Sequence, residues 1–271
     1  ADSICDLRTR KIKTTFFTQI NSLINWGEIS EIIDKDYIKG KSVVGKPSYD
    51  GLLLFKMCLL QSWYGLSDYE VEDRINDSLS FSYFCGMTIE QTSPDHSTLS
   101  RFRTALTKTG TFDKLFKKIN AQLERHQIII KKGAIVDASV IDTPLRPKGR
   151  AKHKITQDRQ EEEYSEVTAE KEYAESVDKD GSWLKKGGKI HYGYKKHHVT
   201  DEEGLVLGVL TTTANVNEIS NLEEVLATAN LPQGISLKAD KGYQSKKNEE
   251  LLKKLKLKNH ILKKAKKNQP L

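Results

Sequence analysis

The chain has 271 residues, of which 37% are hydrophobic and 30% charged. That leaves room for one large domain or two of ordinary size, and excludes wholesale disorder. The longest apolar run, GLLLFKMCLL, is broken by Lys56 and is far too short to span a bilayer. Net charge is +7, with a pI near 9.0. Residues 238–267 hold twelve Lys against Asp240, Glu249 and Glu250, whereas residues 158–180 hold ten acids against Arg159, Lys171 and Lys179. Such asymmetry suits a polyanionic partner such as nucleic acid, and equally a solvated lysine-rich helix face. The opening ADSICDLRTRKIK has no apolar h-region, so no secretory signal is expected and the cytoplasm is the default.

From residue 12 to about 127 the apolar spacing is helical. In PSYDGLLLFKMCLLQSWYGLSDYEVEDRIN, Leu53, Phe55 or Lys56, Met57 and Leu60 recur every three to four residues, with Pro47 and Ser48 supplying a start and Gly65 a stop. Ser67 followed by Glu70 reads as a capping box. SPDHSTLSRFRTALTKTG offers an N-cap among Ser93, Asp95 and Ser97, an apolar seam of Leu99, Phe102 and Leu106, and a stop at Gly110. TFDKLFKKINAQLERHQ is a further amphipathic helix. Residues 1–128 are therefore expected to form a helical N-terminal domain. Cys5, Cys58 and Cys85 lie far apart without CxxC spacing, so zinc is not expected and Cys58 reads as a small buried hydrophobe.

The pattern changes at Gly133. AIVDASV, KIHYGYKKHHVTD and GLVLGVLTTT read as three strands, the last two joined by a tight DEEG turn. A helix from about Glu218 follows, then the strand GISLKAD ending on Asp240, the helix SKKNEELLKKLKLK and a short strand NHILKK. Residues 143–189 form a charge-segregated insertion with no core of its own, expected to hold a surface helix near DRQEEEYSEVTAEKEYAES.

Three strands joined by short turns, then a helix and a strand ending in Asp, is the layout of a ribonuclease-H-like sheet. It places the first strand at the centre beside the fourth, so Asp137 and Asp240 would reach the same edge. Two carboxylates there could hold Mg²⁺, which accepts few protein oxygens and keeps water or phosphate in its other positions. Two such ions about 3.5–4 Å apart would activate a water or 3′-hydroxyl and stabilise the leaving oxygen. Each acid also has a plainer reading: Asp137 as a strand residue satisfied by backbone or a Lys, Asp240 as the N-cap of the lysine-rich helix.

The blocks IVDASVIDTP, KIHYGYKKHHVTDEEGLVLGVLTTTANVNEI and LKADKGYQS resemble the aspartate-aspartate-glutamate transposases of bacterial insertion sequences, in the insertion-sequence-five group. PDHSTLSRFR, behind LLLFKMCLLQSWYGLSDYEVEDRI, is similar to the domain that precedes the catalytic one in that group, and the likeness runs from about Lys46 to the end. The resemblance implies an α/β chain with a ribonuclease-H-like catalytic domain over residues 129–271, a mixed five-stranded sheet. It further implies metal-dependent cleavage of element ends and strand transfer, with Asp137 and Asp240 as catalytic and metal-binding acids and Mg²⁺ or Mn²⁺ as cofactor. The implied partner is double-stranded DNA, at the terminal repeats and at the target, with a homodimer on that DNA as the candidate assembly in the nucleoid. The family's third acid, a Glu on a later helix, is expected beyond residue 271, since Glu249 and Glu250 follow Asp240 too closely. The catalytic domain is accordingly expected to be incomplete at its C-terminal end, and the chain without the third acid to be inactive alone. Two other outcomes stay open: a truncated chain that occupies element ends and represses a complete copy, and a remnant of a decayed element.

Residues 67–108 could form a helix-turn-helix whose second helix presents His96, Ser97, Ser100, Arg101 and Arg103 to phosphates or base edges. Lys195 in HYGYKKHH, and Lys241 and Tyr243 just after Asp240, are candidate DNA contacts. His191 and His197 are candidate metal ligands, or exposed basic residues on a strand.

Overall fold

The computed structural model describes residues 11–37, 48–88, 90–148, 152–157, 167–172 and 177–263. The chain divides into two compact units, residues 1–129 and 130–271.

The first unit is helical among the described residues: α1 (Lys11–Leu23), α2 (Trp26–Asp36), α3 (Gly51–Tyr64), α4 (Asp68–Asp77), α5 (Leu79–Phe84), α6 (His96–Lys108) and α7 (Thr111–Arg125). Its core joins Ile29 and Ile33 of α2, Leu54, Met57 and Leu60 of α3, Val71 and Ile75 of α4, and Leu99, Phe102 and Leu106 of α6. α3 is apolar around most of its circumference, as a helix packed on several sides must be. The capping box is made at the start of α4: Ser67 Oγ accepts the Glu70 backbone N–H, and Glu70 accepts that of Ser67 at 2.7 Å. Gly65 ends α3 in the left-handed conformation. α3 itself starts at Asp50, whose carboxylate accepts the Leu53 N–H, not at Ser48; Pro47 lies outside the described residues.

Lys56 is buried in this core, its ammonium 4.4 Å from the Trp26 ring centroid and 5.0 Å from that of Phe84. The ring faces supply a partner for the cation, and burial pushes its pKa below the ordinary lysine range. Burial raises the thiols of Cys58 and Cys85 to about 12, which makes them packing groups.

α6 begins at Asp95, whose carboxylate accepts the Thr98 N–H at 2.8 Å. Its pKa lies well below the usual carboxylate range, first through the Ser97 hydroxyl and then the Thr98 N–H. A depressed folded-state pKa stabilises the native state above the unfolded value of about 3.9 and loses that contribution as pH falls. Asp95→Ala is expected to cost about 1 kcal/mol at neutral pH, measured by urea unfolding, and less at pH 3.

The second unit contains β1 (Gly133–Asp142), β2 (Lys152–Gln157), β3 (Val167–Glu172), β4 (Ser182–Lys186), β5 (Lys189–Thr200), β6 (Val206–Thr213), a 3₁₀ turn at Glu218–Asn221, α8 (Leu222–Ala227), β7 (Ser236–Ala239), a 3₁₀ turn at Lys241–Tyr243, α9 (Lys246–Lys254) and β8 (Lys258–Ile261). β1 is central, antiparallel to β5 and parallel to β7; β8 extends the sheet parallel to β7. Gly193 of β5 pairs with Asp142 of β1 on one side and Ser182 of β4 on the other, so β4 flanks β5 on the side also taken by β6. The order β6–β5–β1–β7–β8 is the ribonuclease-H-like arrangement.

Two expectations are corrected. β4 makes a sixth strand, turning into β5 through Gly187 and Gly188, both at positive φ (57° and 78°), as a two-residue hairpin requires. The expected surface helix is contradicted at Val167–Glu172, which forms β3 and pairs with β2; residues 158–166 and 173–176 lie outside the described residues.

Strand alternation divides the faces. Ala134, Val136 and Ala138 of β1, Val199 of β5, and Leu237 and Ala239 of β7 are buried, with α8 packed on β5 and β6 on the same layer through Leu222, Val225 and Leu226. Asp137, between two buried residues, belongs to the other face and is exposed.

Candidate active site

Val136 of β1 stands opposite Ala239 of β7. One step further along this register, β1 carries Asp137 and the chain leaves β7 at Asp240, which is still extended (φ −66°, ψ 158°). The two acids are thus neighbours at the roughly 5 Å spacing of paired strands. Both are exposed and both follow a buried residue, which puts them on one face. Asp137 Oδ1 accepts the Ala138 N–H at 2.7 Å and Asp240 Oδ1 accepts the Lys241 N–H at 2.7 Å. Among the described residues no Lys, Arg or His lies within ion-pair distance of either. Two adjacent carboxylates left without a counter-cation suit a hard divalent ion. Among the described residues no three His, Cys, Asp or Glu side chains converge to hold a metal. A cation bridging this pair would therefore draw its remaining oxygens from water or substrate, as Mg²⁺ tolerates. The lysine-rich helix α9 is capped by Ser245, and Asp240 caps only the short turn that follows it.

Residues 130–271 match the family described as "Transposase DDE domain", and residues 6–105 match "Transposase domain (DUF772)". The chain belongs to the DDE transposases of insertion sequences. No solved structure matches it. Transposases of this family act on DNA and use divalent metal ions. Among the described residues no helix of this transposase is long and apolar enough to cross a membrane.

The covered side of the sheet, otherwise apolar, includes buried polar groups. His197 and Tyr243 are fully buried, with Nδ1 and the hydroxyl 3.4 Å apart, and His197 Nε2 lies 3.2 Å from Thr212 Oγ1. Burial raises the Tyr243 pKa, and the charges of Glu218, Asp137 and Asp240 raise it further. Burial lowers that of His197, with Lys195 adding to the effect. Lys195 is 5% exposed; its ammonium donates to the Val216 carbonyl at 2.8 Å and sits 3.5 Å from Glu218. The expectation that Lys195 and Tyr243 touch DNA is corrected by this burial, as is the reading of His197 as an exposed basic residue. β5 faces its alternate residues into the sheet's covered side, where Lys195 and His197 lie, and Tyr243 is buried from the turn after β7. Lys241 is exposed. His191 pairs with Asp142 at 3.0 Å, at the far end of β1 from Asp137.

In the helical unit, Arg103 is taken up by Asp68 (Nη2 to Oδ2 2.7 Å) and by Gln61. His96 stacks on Tyr69 at 3.9 Å and lies 2.9 Å from Glu72. Ser97, Ser100 and Arg101 are exposed, and Arg101 is laid back along its own helix onto Ser97 and Thr98. A helix-turn-helix needs a turn of about three to four residues. The stretch from residue 85 to 95 that joins α5 to α6 is longer than that.

Glu218, which sequence reasoning passed over, lies against the Asp240 turn: a Cβ added to Gly242 would lie 3.0 Å from Glu218 Oε2 and 3.9 Å from Asp240 Oδ2. In the sequence it stands at the start of a predicted helix and at the close of the block ending TTTANVNEI.

Proposed function

We propose that this transposase binds the ends of its element and carries out metal-dependent strand cleavage and transfer, with Asp137 and Asp240 as its acidic ligands for Mg²⁺ or Mn²⁺. The observation that supports the reading is a pair of carboxylates without a counter-cation among the described residues, Asp137 on β1 and Asp240 one residue past the β7 position paired with Val136. Asp137 and Asp240 would hold a divalent ion, which would supply Lewis acidity at the scissile phosphate and activation of the attacking hydroxyl. The protein's part is to hold two carboxylates side by side, Asp137 within β1 and Asp240 at the end of β7 where the Lys241–Tyr243 turn begins. Lys241, exposed beside Asp240, is the candidate contact for the cut strand's phosphate, and Ser97, Ser100 and Arg101 are candidates on α6. Arg103 and His96 support that helix through Asp68 and Glu72.

The test is nicking of element-end DNA by a version of the protein that also carries the family's third acid. Cutting is expected with Mg²⁺ or Mn²⁺ and none in excess chelator. Equal cutting in both conditions would refute the reading.

A further inference from the structure

Glu218 and Lys195 lie under the Asp240 turn without any part in the chemistry assigned so far. Lys195 is reached only from inside: its ammonium is held by the Val216 carbonyl and by Glu218 Oε1. The other carboxylate oxygen, Oε2, rests against Gly242, two residues past Asp240. A second fastening ties the same segments, for Asn248 Nδ2 donates both to the Ile219 carbonyl at 3.1 Å and to the Tyr243 carbonyl at 2.7 Å. The turn at Glu218–Asn221 and the turn at Lys241–Tyr243 are therefore clamped together, with a lysine-compensated carboxylate between them. Burying a cation costs free energy unless it is paired. A plain apolar residue would fill the Lys195 site more cheaply if shape alone mattered.

We propose that Glu218, held by Lys195, is a positioning residue that sets how strongly the Asp137–Asp240 pair takes up a divalent cation. The proposal rests on the metal-binding reading above. Glu218 adds negative potential beside Asp240 and fixes the turn from which Asp240 projects, while Lys195 partly cancels that potential. Charge and scaffold then predict different things. Removing Glu218's charge weakens cation uptake, whereas removing Lys195's charge strengthens it. A purely structural clamp would weaken uptake in both cases.

The experiment is calorimetric titration of the full chain with Mn²⁺ alone, without DNA. Glu218→Gln is expected to weaken Mn²⁺ binding about three- to tenfold, and Lys195→Met to strengthen it about two- to threefold, as charges several ångströms from the cation would. Gly242→Ala keeps every charge but presses on Glu218 Oε2, and should give a smaller loss than Glu218→Gln. Unchanged binding in Glu218→Gln, or equal weakening in Glu218→Gln and Lys195→Met, would overturn the proposal. Asp137→Asn separates the two levels. If it abolishes Mn²⁺ uptake while Glu218→Gln does not alter it, this inference alone falls. If the wild type takes up no Mn²⁺, or Asp137→Asn takes up as much, the metal-binding reading falls and this inference with it.

Discussion

Asp137→Asn and Asp240→Asn are each expected to lower metal-dependent nicking by at least about a hundredfold, because a site with so few protein ligands loses most of its grip when one goes. The exchange keeps size and one hydrogen-bonding oxygen, so Asp137→Asn can still accept the Ala138 N–H and Asp240→Asn that of Lys241. Folding should therefore be untouched. Binding of element-end DNA, measured in the same buffer without metal, should also stay close to wild type. A variant that still cuts at more than a tenth of the wild-type rate would place the chemistry elsewhere.

The second large effect is on stability. Gly193 sits within β5 at φ 154°, where a side chain is strained, and a Cβ added there would run into the Ile141 carbonyl oxygen and come within 2.9 Å of the Thr143 nitrogen. Both are backbone atoms of the central strand and its exit, and neither can step aside alone. Gly193→Ala is expected to cost about 2–3 kcal/mol. For a unit of this size that is a fall of roughly 5–10 °C in Tm, read by scanning calorimetry. The same pairing that holds Gly193 against Asp142 holds Asp137 against His198. Nicking should therefore fall with the loss of the folded state, and a Tm unchanged within error would show that the strand pair adapts.

Much of this arrangement was legible before any coordinates. The β-branched and apolar runs of β1, β6 and β7 and the apolar seam of α6 announce their own periods, and short turns between β5 and β6 leave only one way to order them. Ser67 and Glu70 could be read as a cap because that interaction is local. Other features failed for physical reasons. SWLKKGGKI was absorbed into a polar insertion, although a Gly pair between alternating residues is a hairpin signal. The lysine run that favoured phosphate contact could not show that Lys195 points into the covered face beside Glu218, since alternation gives two faces but not which is covered. Arg103 has the same lesson in a helix: its spacing put it among solvent-facing positions, yet Asp68 of α4 claims it. Long-range partners of polar groups are the part that period and propensity do not encode.

The parallel pairing of β1 with β7 also dictates when the site can come into being. On the ribosome, Asp137 emerges long before Asp240, and β5, β6 and α8 must all be laid down in between. Closing so long a loop is slow relative to local helix formation. A nascent chain therefore carries Asp137 without Asp240 beside it until β7 docks, and the two carboxylates meet only once the central sheet is knitted.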